Sequence, residues 1–267
     1  MAEIQSDYMY GGTTDYGYQR DVNEDFLAFD VLREDILLGV IADGAGSRQC
    51  GFRIQPAVIA ATEIIDVVKR MYQNNPDFIE KYPVDTLIEA VQVANRTIGV
   101  FKVANEDLYS GFGVCLSCVL IIKNKVYFAH CGNTRIYLIR HRDKDNLAHI
   151  TQLTNDHTVA QRMVSEHILA AGDEYYAHPA RYTYTSGLGI VPSPTIQTNA
   201  ITLKFGDVLV LTTDGIHYAM RPEAISDFIL NSDNWKEAAK NLIDAAISLK
   251  MEDNMTAAVI YYFPPQN

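Results

Sequence analysis

Long apolar runs, basic clusters and paired cysteines are all missing from this 267-residue chain. No uninterrupted apolar run approaches the roughly 18 residues that a spanning helix needs, so no membrane span is expected. Met1 to Tyr18 is polar and rich in Tyr and Gly. It has no basic stretch followed by an apolar one, so no signal peptide is visible and the chain reads as cytoplasmic. Lys and Arg number 22 against 33 Asp and Glu, a formal net charge of -11, and no Lys/Arg-rich run occurs. Nucleic acid is therefore not an expected partner, because phosphate contacts need a basic footprint. Four cysteines, at 50, 115, 118 and 131, make no disulfide framework, which fits a reducing compartment.

What is present is ample apolar material, 48% of the chain, enough for a large buried core. We see no repeat and no linker, and expect one monomeric domain over 1–267. Strand-like runs cover 26–32 and 36–42. Helical spacing of Ile54, Val58, Ala61, Ile65 and Val68 predicts a helix over 51–72. A second helix, over 84–108, uses Leu87, Val91, Ala94, Ile98 and Phe101, with Pro83 and Asp85 as start signals. A three-strand meander is expected at 114–122, 126–131 and 135–140. Residues 155–192 have few long apolar runs and read as a surface flap with one or two short helices. Strands at 195–203 and 208–213, helices at 222–230 and 235–249, and a last strand at 256–263 complete the chain. The Tyr-rich start, 8–18, reads as an edge strand. This pattern predicts an antiparallel sheet packed by helix pairs.

Four acids stand beside chain-bending or small polar neighbours: Asn23-Glu24-Asp25, Ala42-Asp43-Gly44, Thr213-Asp214-Gly215 and Glu252-Asp253-Asn254. Alone, each Asp-Gly pair is a turn and each acid a solvated side chain. Together, at the ends of strand-like runs, they point to one cluster of hard oxygen ligands, suited to Mg²⁺ or Mn²⁺. Two such ions about 3.5–4 Å apart activate water against a phosphorus ester.

The ordered series is more specific. It runs from Arg20-Asp21-Val22-Asn23-Glu24-Asp25 through Asp43-Gly44-Ala45-Gly46 and Gly111-Phe112-Gly113 to Cys131-Gly132-Asn133-Thr134-Arg135. Leu153-Thr154-Asn155-Asp156-His157 and His178-Pro179-Ala180-Arg181 follow, then Gly206-Asp207-Val208-Leu209, Thr213-Asp214-Gly215-Ile216 and Asp253-Asn254-Met255-Thr256. From about residue 10 to 263 this resembles the metal-dependent serine/threonine protein phosphatases of the protein phosphatase 2C-like family, in their compact bacterial form.

The resemblance implies an α+β fold, a four-layer α/β/β/α sandwich of two antiparallel sheets flanked by helix pairs. It implies hydrolysis of phosphoserine and phosphothreonine in proteins by a hydroxide bridging two Mg²⁺ or Mn²⁺ ions. Asp43 matches the carboxylate that bridges both metals. The Gly44 carbonyl, Asp25, Asp214 and Asp253 match further ligands, direct or through water. Glu24 matches an acid that orients the attacking water, and Arg20 the residue that holds the substrate phosphate. The alternative for Arg20 is an ion pair with Asp21 or Glu24.

Three positions depart from the family pattern. Asn133 and Tyr218 stand where many members carry Asp, and those acids are associated with a third, weaker metal beside the flap. That site is expected to be weak or absent, because a hard cation needs ligand charge. Ala45 stands where animal relatives carry a His proposed as general acid. His178 and Arg181 either touch substrate or hold the flap down. His157 follows an expected helix cap, Asp156 or Asn155, and reads as structural. Cys115 and Cys118, three apart on a strand, face opposite sides and cannot share a zinc ion. No Cys sits in a phosphate-cradling loop, which argues against a cysteine nucleophile. Two rivals remain: a catalytically weak module of this fold that binds a protein partner, and a hydrolase of small phosphate esters.

Overall fold

The computed structural model describes residues 8–46, 55–104, 111–141 and 148–263. Cys50 and the expected helical residues 51–54 and 105–108 lie outside the described residues. The chain forms β1 (Tyr8–Asp15), β2 (Asp25–Arg33), β3 (Ile36–Ala45), α1 (Pro56–Asn74), α2 (Pro76–Lys81) and α3 (Pro83–Ala104). It continues with β4 (Gly113–Ile122), β5 (Lys125–Cys131), β6 (Arg135–His141), β7 (Ala148–Gln152), α4 (Val159–Ser165) and α5 (Asp173–Ala177). The last elements are β8 (Gln197–Thr202), β9 (Val208–Thr212), α6 (Asp214–His217), α7 (Pro222–Leu230), α8 (Trp235–Ser248) and β10 (Met255–Tyr262).

Two five-stranded antiparallel sheets result, in the orders β1-β10-β9-β6-β7 and β2-β3-β4-β5-β8. Strand alternation sorts the core into three layers. On β4, Leu116, Cys118 and Leu120 pack with Ile64 of α1 and Leu87 and Val91 of α3. Val119 and Ile121 of the same strand pack with Leu209 and Leu211 of β9, between the sheets. On β9, Val208 and Val210 turn the other way, onto Ile225 of α7 and Leu242 of α8. The fold is thus the expected α+β sandwich with helices on both outer faces. Because β4 is buried on both sides along its whole length, it reads in sequence as a continuous apolar run rather than an alternating one.

The fold corrects the sequence reading in three places. The expected three-strand meander breaks after β5: β5 pairs with β4 and β8, whereas β6 pairs with β7 and β9 in the other sheet. Gly132 makes the crossing. Its φ is +109°, and a Cβ there would lie 2.4 Å from the Cys115 side chain. The left-handed backbone and the close approach both demand glycine. The buried face of α1 is Ala57, Ala60, Ala61, Ile64, Val67 and Val68, so Val58 and Ile65 are only half-buried. Finally, β7, α2 and the single turn of α6 were not expected. Each is short, and β7 is an edge strand without fully buried residues.

β1 lies at a sheet edge beside β10, as the Tyr-rich start implied, although the strand ends at Asp15. Between β7 and β8 the chain forms α4, α5, a 3₁₀ turn over Pro179–Tyr182 and irregular backbone. No helix among the described residues is long and apolar enough to cross a membrane.

Candidate metal centre

Strand register brings the acids together at one end of the sandwich. Asp25, the first residue of β2, is the direct antiparallel partner of Asp43 on β3, and Asp43 in turn faces Cys115 on β4. Like charges directly opposite are unfavourable in a sheet. The other two acids come from the second sheet: Asp214 follows β9, and Asp253 precedes β10.

Two threonines knit the sheets at this point. Thr213 Oγ1 and Thr256 Oγ1 each donate a 2.7 Å hydrogen bond to the same Asp25 oxygen, Oδ2. Thr256 N–H donates back to Thr213 Oγ1 at 2.9 Å. Asn254 ties the two acidic loops. Its Oδ1 accepts from Glu24 N–H at 2.9 Å, and its Nδ2 donates to the Tyr16 and Val22 carbonyls, each at 2.9 Å. The sequence reading assigns none of these three residues a role. Thr213 and Asn254 stand next to a candidate ligand in sequence and Thr256 three residues from one, and that nearness is the available signal.

Electrostatically the cluster is short of positive charge. Burial drives the Asp25 carboxyl up to about 7 despite the two threonine bonds, and Asp214 and Asp253 push it further in the same direction. Burial, then Asp253, carries Asp214 to about 7. Burial followed by Asp214, Asp25, Asp253 and Glu24 holds Asp43 well above the carboxylate range. Among the described residues the arginine paired with these acids is Arg20, whose Nη2 lies 2.9 Å from Asp253 Oδ1 at the half-exposed rim. The partner is neither Asp21 nor Glu24, the two anticipated for an ion pair.

These residues fit a hard divalent cation. The donors are carboxylates that would rather hold a proton than a bare charge, and a cation relieves that. Asn133 Oδ1 adds a buried acceptor without a hydrogen-bond partner, beside Asp214, to which Asn133 Nδ2 donates at 3.0 Å. Among the described residues no three Asp, Glu, His or Cys side chains already close on one point. A cation here would fill its shell with backbone oxygen and water, as Mg²⁺ commonly does. Gly44 follows Asp43 directly and lies against the Glu24 backbone. Its N–H donates to the Glu24 carbonyl at 3.1 Å. A Cβ on it would lie 2.8 Å from that same carbonyl, so the two segments meet this closely only because residue 44 has no side chain.

The other candidates fall outside the cluster. His178 Nδ1 accepts from Ala180 N–H at 3.2 Å and caps the 3₁₀ turn. Arg181 donates to the Tyr176 carbonyl and the Tyr182 hydroxyl. His178 therefore binds its own segment, whereas Arg181 also lies over Tyr218, its guanidinium carbon 4.4 Å from that ring centre. Asp156 does not cap a helix. Thr158 caps α4, accepting from Gln161 N–H, while Asp156 receives Arg135 Nε at 2.8 Å and Nη2 at 2.7 Å. His157 Nδ1 accepts from Gly132 N–H at 3.1 Å, a structural contact at the sheet crossing. Cys115, Cys118 and Cys131 are buried free thiols. Burial pushes Cys131 up to about 11 and Cys115 well above its usual value, so none is poised as a nucleophile.

Comparison with known proteins identifies the family and the fold. The family profile described as Protein phosphatase 2C matches residues 52–166 and 170–255. A putative protein phosphatase 2C-type protein of Streptococcus pyogenes is 25% identical over 249 residues, 93% of this chain and 95% of its own. The serine/threonine protein phosphatase PstP of Mycobacterium tuberculosis is 29% identical over 262 residues, 97% of this chain but 46% of that longer protein. The crystal structure of the catalytic domain of PstP in complex with two manganese ions superposes with a TM-score of 0.74 at 25% identity, covering 96% of this chain and 98% of that one. The serine/threonine phosphatase of S. agalactiae shares the fold with a TM-score of 0.80 at 22% identity, over 95% of this chain and 99% of that one.

Proposed function

This chain belongs to the protein phosphatase 2C family, and we propose that it is an active, metal-dependent phosphatase that hydrolyses phosphoserine and phosphothreonine in proteins. The observation that carries this reading is the convergence of Asp25, Asp43, Asp214 and Asp253 from four separate segments, with Arg20 paired to Asp253 at the rim. A fold does not keep such an uncompensated cluster for stability's sake.

Asp25, Asp43, Asp214 and Asp253, with the Gly44 carbonyl, would hold two Mg²⁺ or Mn²⁺ ions, Asp43 serving both. When bound, such ions lower the pKa of water and neutralise charge developing on phosphorus. Arg20 holds the substrate phosphate: a guanidinium grips two phosphate oxygens, and its place at the rim lets it leave Asp253 for an incoming anion. Glu24, buried and held through its N–H by Asn254, orients the attacking water. A third ion beside Asn133 and Tyr218 is not expected. Both side chains are neutral, and the Arg181 and Arg135 guanidinium carbons stand 4.4 Å and 5.8 Å from the Tyr218 ring centre. Arg135 is already balanced by Asp156, so it is the Arg181 charge that disfavours a further cation.

The test is hydrolysis of p-nitrophenyl phosphate and of a phosphothreonine peptide with Mn²⁺, with Mg²⁺ and with chelator. Turnover of both substrates that chelator abolishes is the expected result. No turnover with either metal would leave a binding module, and turnover of the aryl ester alone would favour a small phosphate ester.

A further inference from the structure

Tyr218 sits at the meeting point of two parts of the molecule. Its backbone N–H donates to the Asp214 carbonyl at 2.8 Å and closes the single turn of α6. Its hydroxyl donates to the Arg181 carbonyl at 3.0 Å. The Arg181 guanidinium carbon lies 4.4 Å from the centre of the Tyr218 ring and 4.6 Å from that of Tyr182. The two rings meet edge to face, 5.3 Å apart at 83°. One candidate metal ligand and one anchor for the 3₁₀ turn therefore lie a helical turn apart on the same short element.

The neighbouring contacts repeat this chemistry. Arg135, buried on β6, donates to the Tyr176 hydroxyl at 2.9 Å. The Arg221 guanidinium carbon lies 3.7 Å from the Tyr176 ring centre. Arginine–tyrosine contacts thus tie both α5 and the 3₁₀ turn to the body of the protein. Three residues beyond Arg181, Tyr184 bridges to Thr158; Thr185 N–H then donates to the His157 carbonyl at 2.8 Å, and His157 N–H to the Gly132 carbonyl at 2.6 Å, next to Asn133, which donates to Asp214. The segment held by Tyr218 therefore leads directly to the carboxylate cluster.

We propose that Tyr218 is a positioning residue: its ring and hydroxyl seat the Arg181 segment against the turn that begins at Asp214 and so fix that segment at the edge of the carboxylate cluster. A stack on a delocalised cation and a hydrogen bond to a backbone carbonyl act together here, and neither requires a metal ion. The ring supplies most of the contact and the hydroxyl its direction. The seating itself is independent of the reaction. Its consequence for substrate rests on the phosphatase reading.

Amide hydrogen exchange on the full chain tests the seating. The reporters are the N–H groups of Thr183, Thr185 and Val159, bonded to the carbonyls of Ala180, His157 and Thr183. In Tyr218→Ala these amides should exchange about tenfold faster or more, the loss of one cation–π contact and one hydrogen bond. Amides of β9 and β10 should keep their rates. Tyr218→Phe, which keeps the ring, should fall between wild type and Tyr218→Ala. Arg181→Ala opens the same contact from the half-exposed side, and should reproduce the effect even where Tyr218→Ala fails to fold. Wild-type exchange of all three amides in folded Tyr218→Ala or in Arg181→Ala would overturn the proposal.

The second arm uses Mn²⁺-loaded protein. Tyr218→Ala should raise KM for a phosphothreonine peptide more than KM for p-nitrophenyl phosphate, since only the peptide is long enough to meet the seated segment, and Tyr218→Phe should recover part of the difference. A fall in kcat alone, equal on both substrates, would refute a positioning role toward substrate. Wild-type protein inactive on both substrates would fail the phosphatase reading while the exchange result stood.

Discussion

The Asn133 amide nitrogen donates a 3.0 Å hydrogen bond to Asp214 Oδ2 inside the carboxylate cluster. This bond offsets part of the repulsion that Asp253 exerts on Asp214. Aspartate at 133 would set acceptor against acceptor in buried surroundings. Asn133→Asp should therefore destabilise the metal-free protein by about 1.5–3 kcal/mol at pH 8, the value of a hydrogen bond to a charged group. Mn²⁺ should restore more stability to the variant than to wild type, because the new carboxylate adds anionic charge. Calorimetric melting with and without chelator reads both effects, and identical metal-free melting of variant and wild type would contradict the first.

Asp25 and Asp214 give the metal-free protein a particular pH dependence. Their carboxyls hold protons up to about pH 7 in the fold, against an ordinary value of 3.8. Between those limits the folded state binds more protons than the unfolded chain, so this contribution to stability is lost as pH rises through the window and levels off above it. Cations take the place of those protons. The gap between the melting temperatures in Mn²⁺ and in chelator should widen from about pH 4 to about pH 7. A gap constant over that range would show that the carboxylates are not the groups relieved by metal.

Much of this architecture was legible in the sequence, for physical reasons that differ by element. β3, β4 and β9 announce themselves as apolar runs because both faces are buried. On α3, Leu87, Val91, Ala94 and Ile98 keep helical spacing because one face meets the sheet. The transfer of β6 to the other sheet was not legible. It depends on Gly132 lying against Cys115, seventeen residues earlier in the chain, and a short turn in sequence looks the same whether it closes a hairpin or crosses between sheets. The four aspartates stood out by their neighbours, yet their supports did not. Thr213, Thr256 and Asn254 act through hydroxyl and amide bonds whose partners lie far away in sequence. The role of Tyr218 was hidden for the same reason: its partner Arg181 comes from a segment with little regular pattern.

Asp43 faces Asp25 across the strands and is acted on by every other acid of the cluster. Removing its charge should have opposite effects on the two forms of the protein. In chelator at alkaline pH, where these carboxyls would otherwise be charged, Asp43→Asn should melt higher than wild type, because repulsion at the Asp25 register position is lifted. It should gain little or nothing from Mn²⁺, and turnover should vanish. Titration calorimetry checks the binding, and wild-type Mn²⁺ affinity in the variant would remove Asp43 from the site.

Arg135 carries the sharpest stability prediction. It is buried, and its fork meets the Asp156 carboxylate at 2.8 Å and 2.7 Å while Tyr137 and Tyr176 hydroxyls accept from its Nη1 at 3.0 Å and 2.9 Å. Arg135→Leu strands a buried carboxylate and should cost about 3–5 kcal/mol in urea unfolding. The double variant Arg135→Leu with Asp156→Leu should recover part of that loss, since no unpaired charge then remains. A double variant less stable than Arg135→Leu would mean that packing, not the stranded charge, dominates.

Arg20 has two possible employments, and its ion pair with Asp253 at 2.9 Å separates them. The pair is about one-third exposed on both sides, 33% and 37%, and exposed pairs contribute at most about 1 kcal/mol to stability. Arg20→Ala should therefore melt close to wild type. If the guanidinium grips the substrate phosphate, its loss removes a charge-assisted bond of roughly 1.5–3 kcal/mol, which raises KM by about 10- to 150-fold. Metal affinity should hold or rise, because Asp253 is released from a competing cation. Arg20→Lys keeps the charge but not the planar fork, and should recover only part of the loss. Steady-state kinetics on the phosphothreonine peptide, with calorimetric melting on the same samples, distinguishes the outcomes. An unchanged KM together with a melting temperature several degrees below wild type would assign Arg20 to the fold and leave the phosphate without its expected partner.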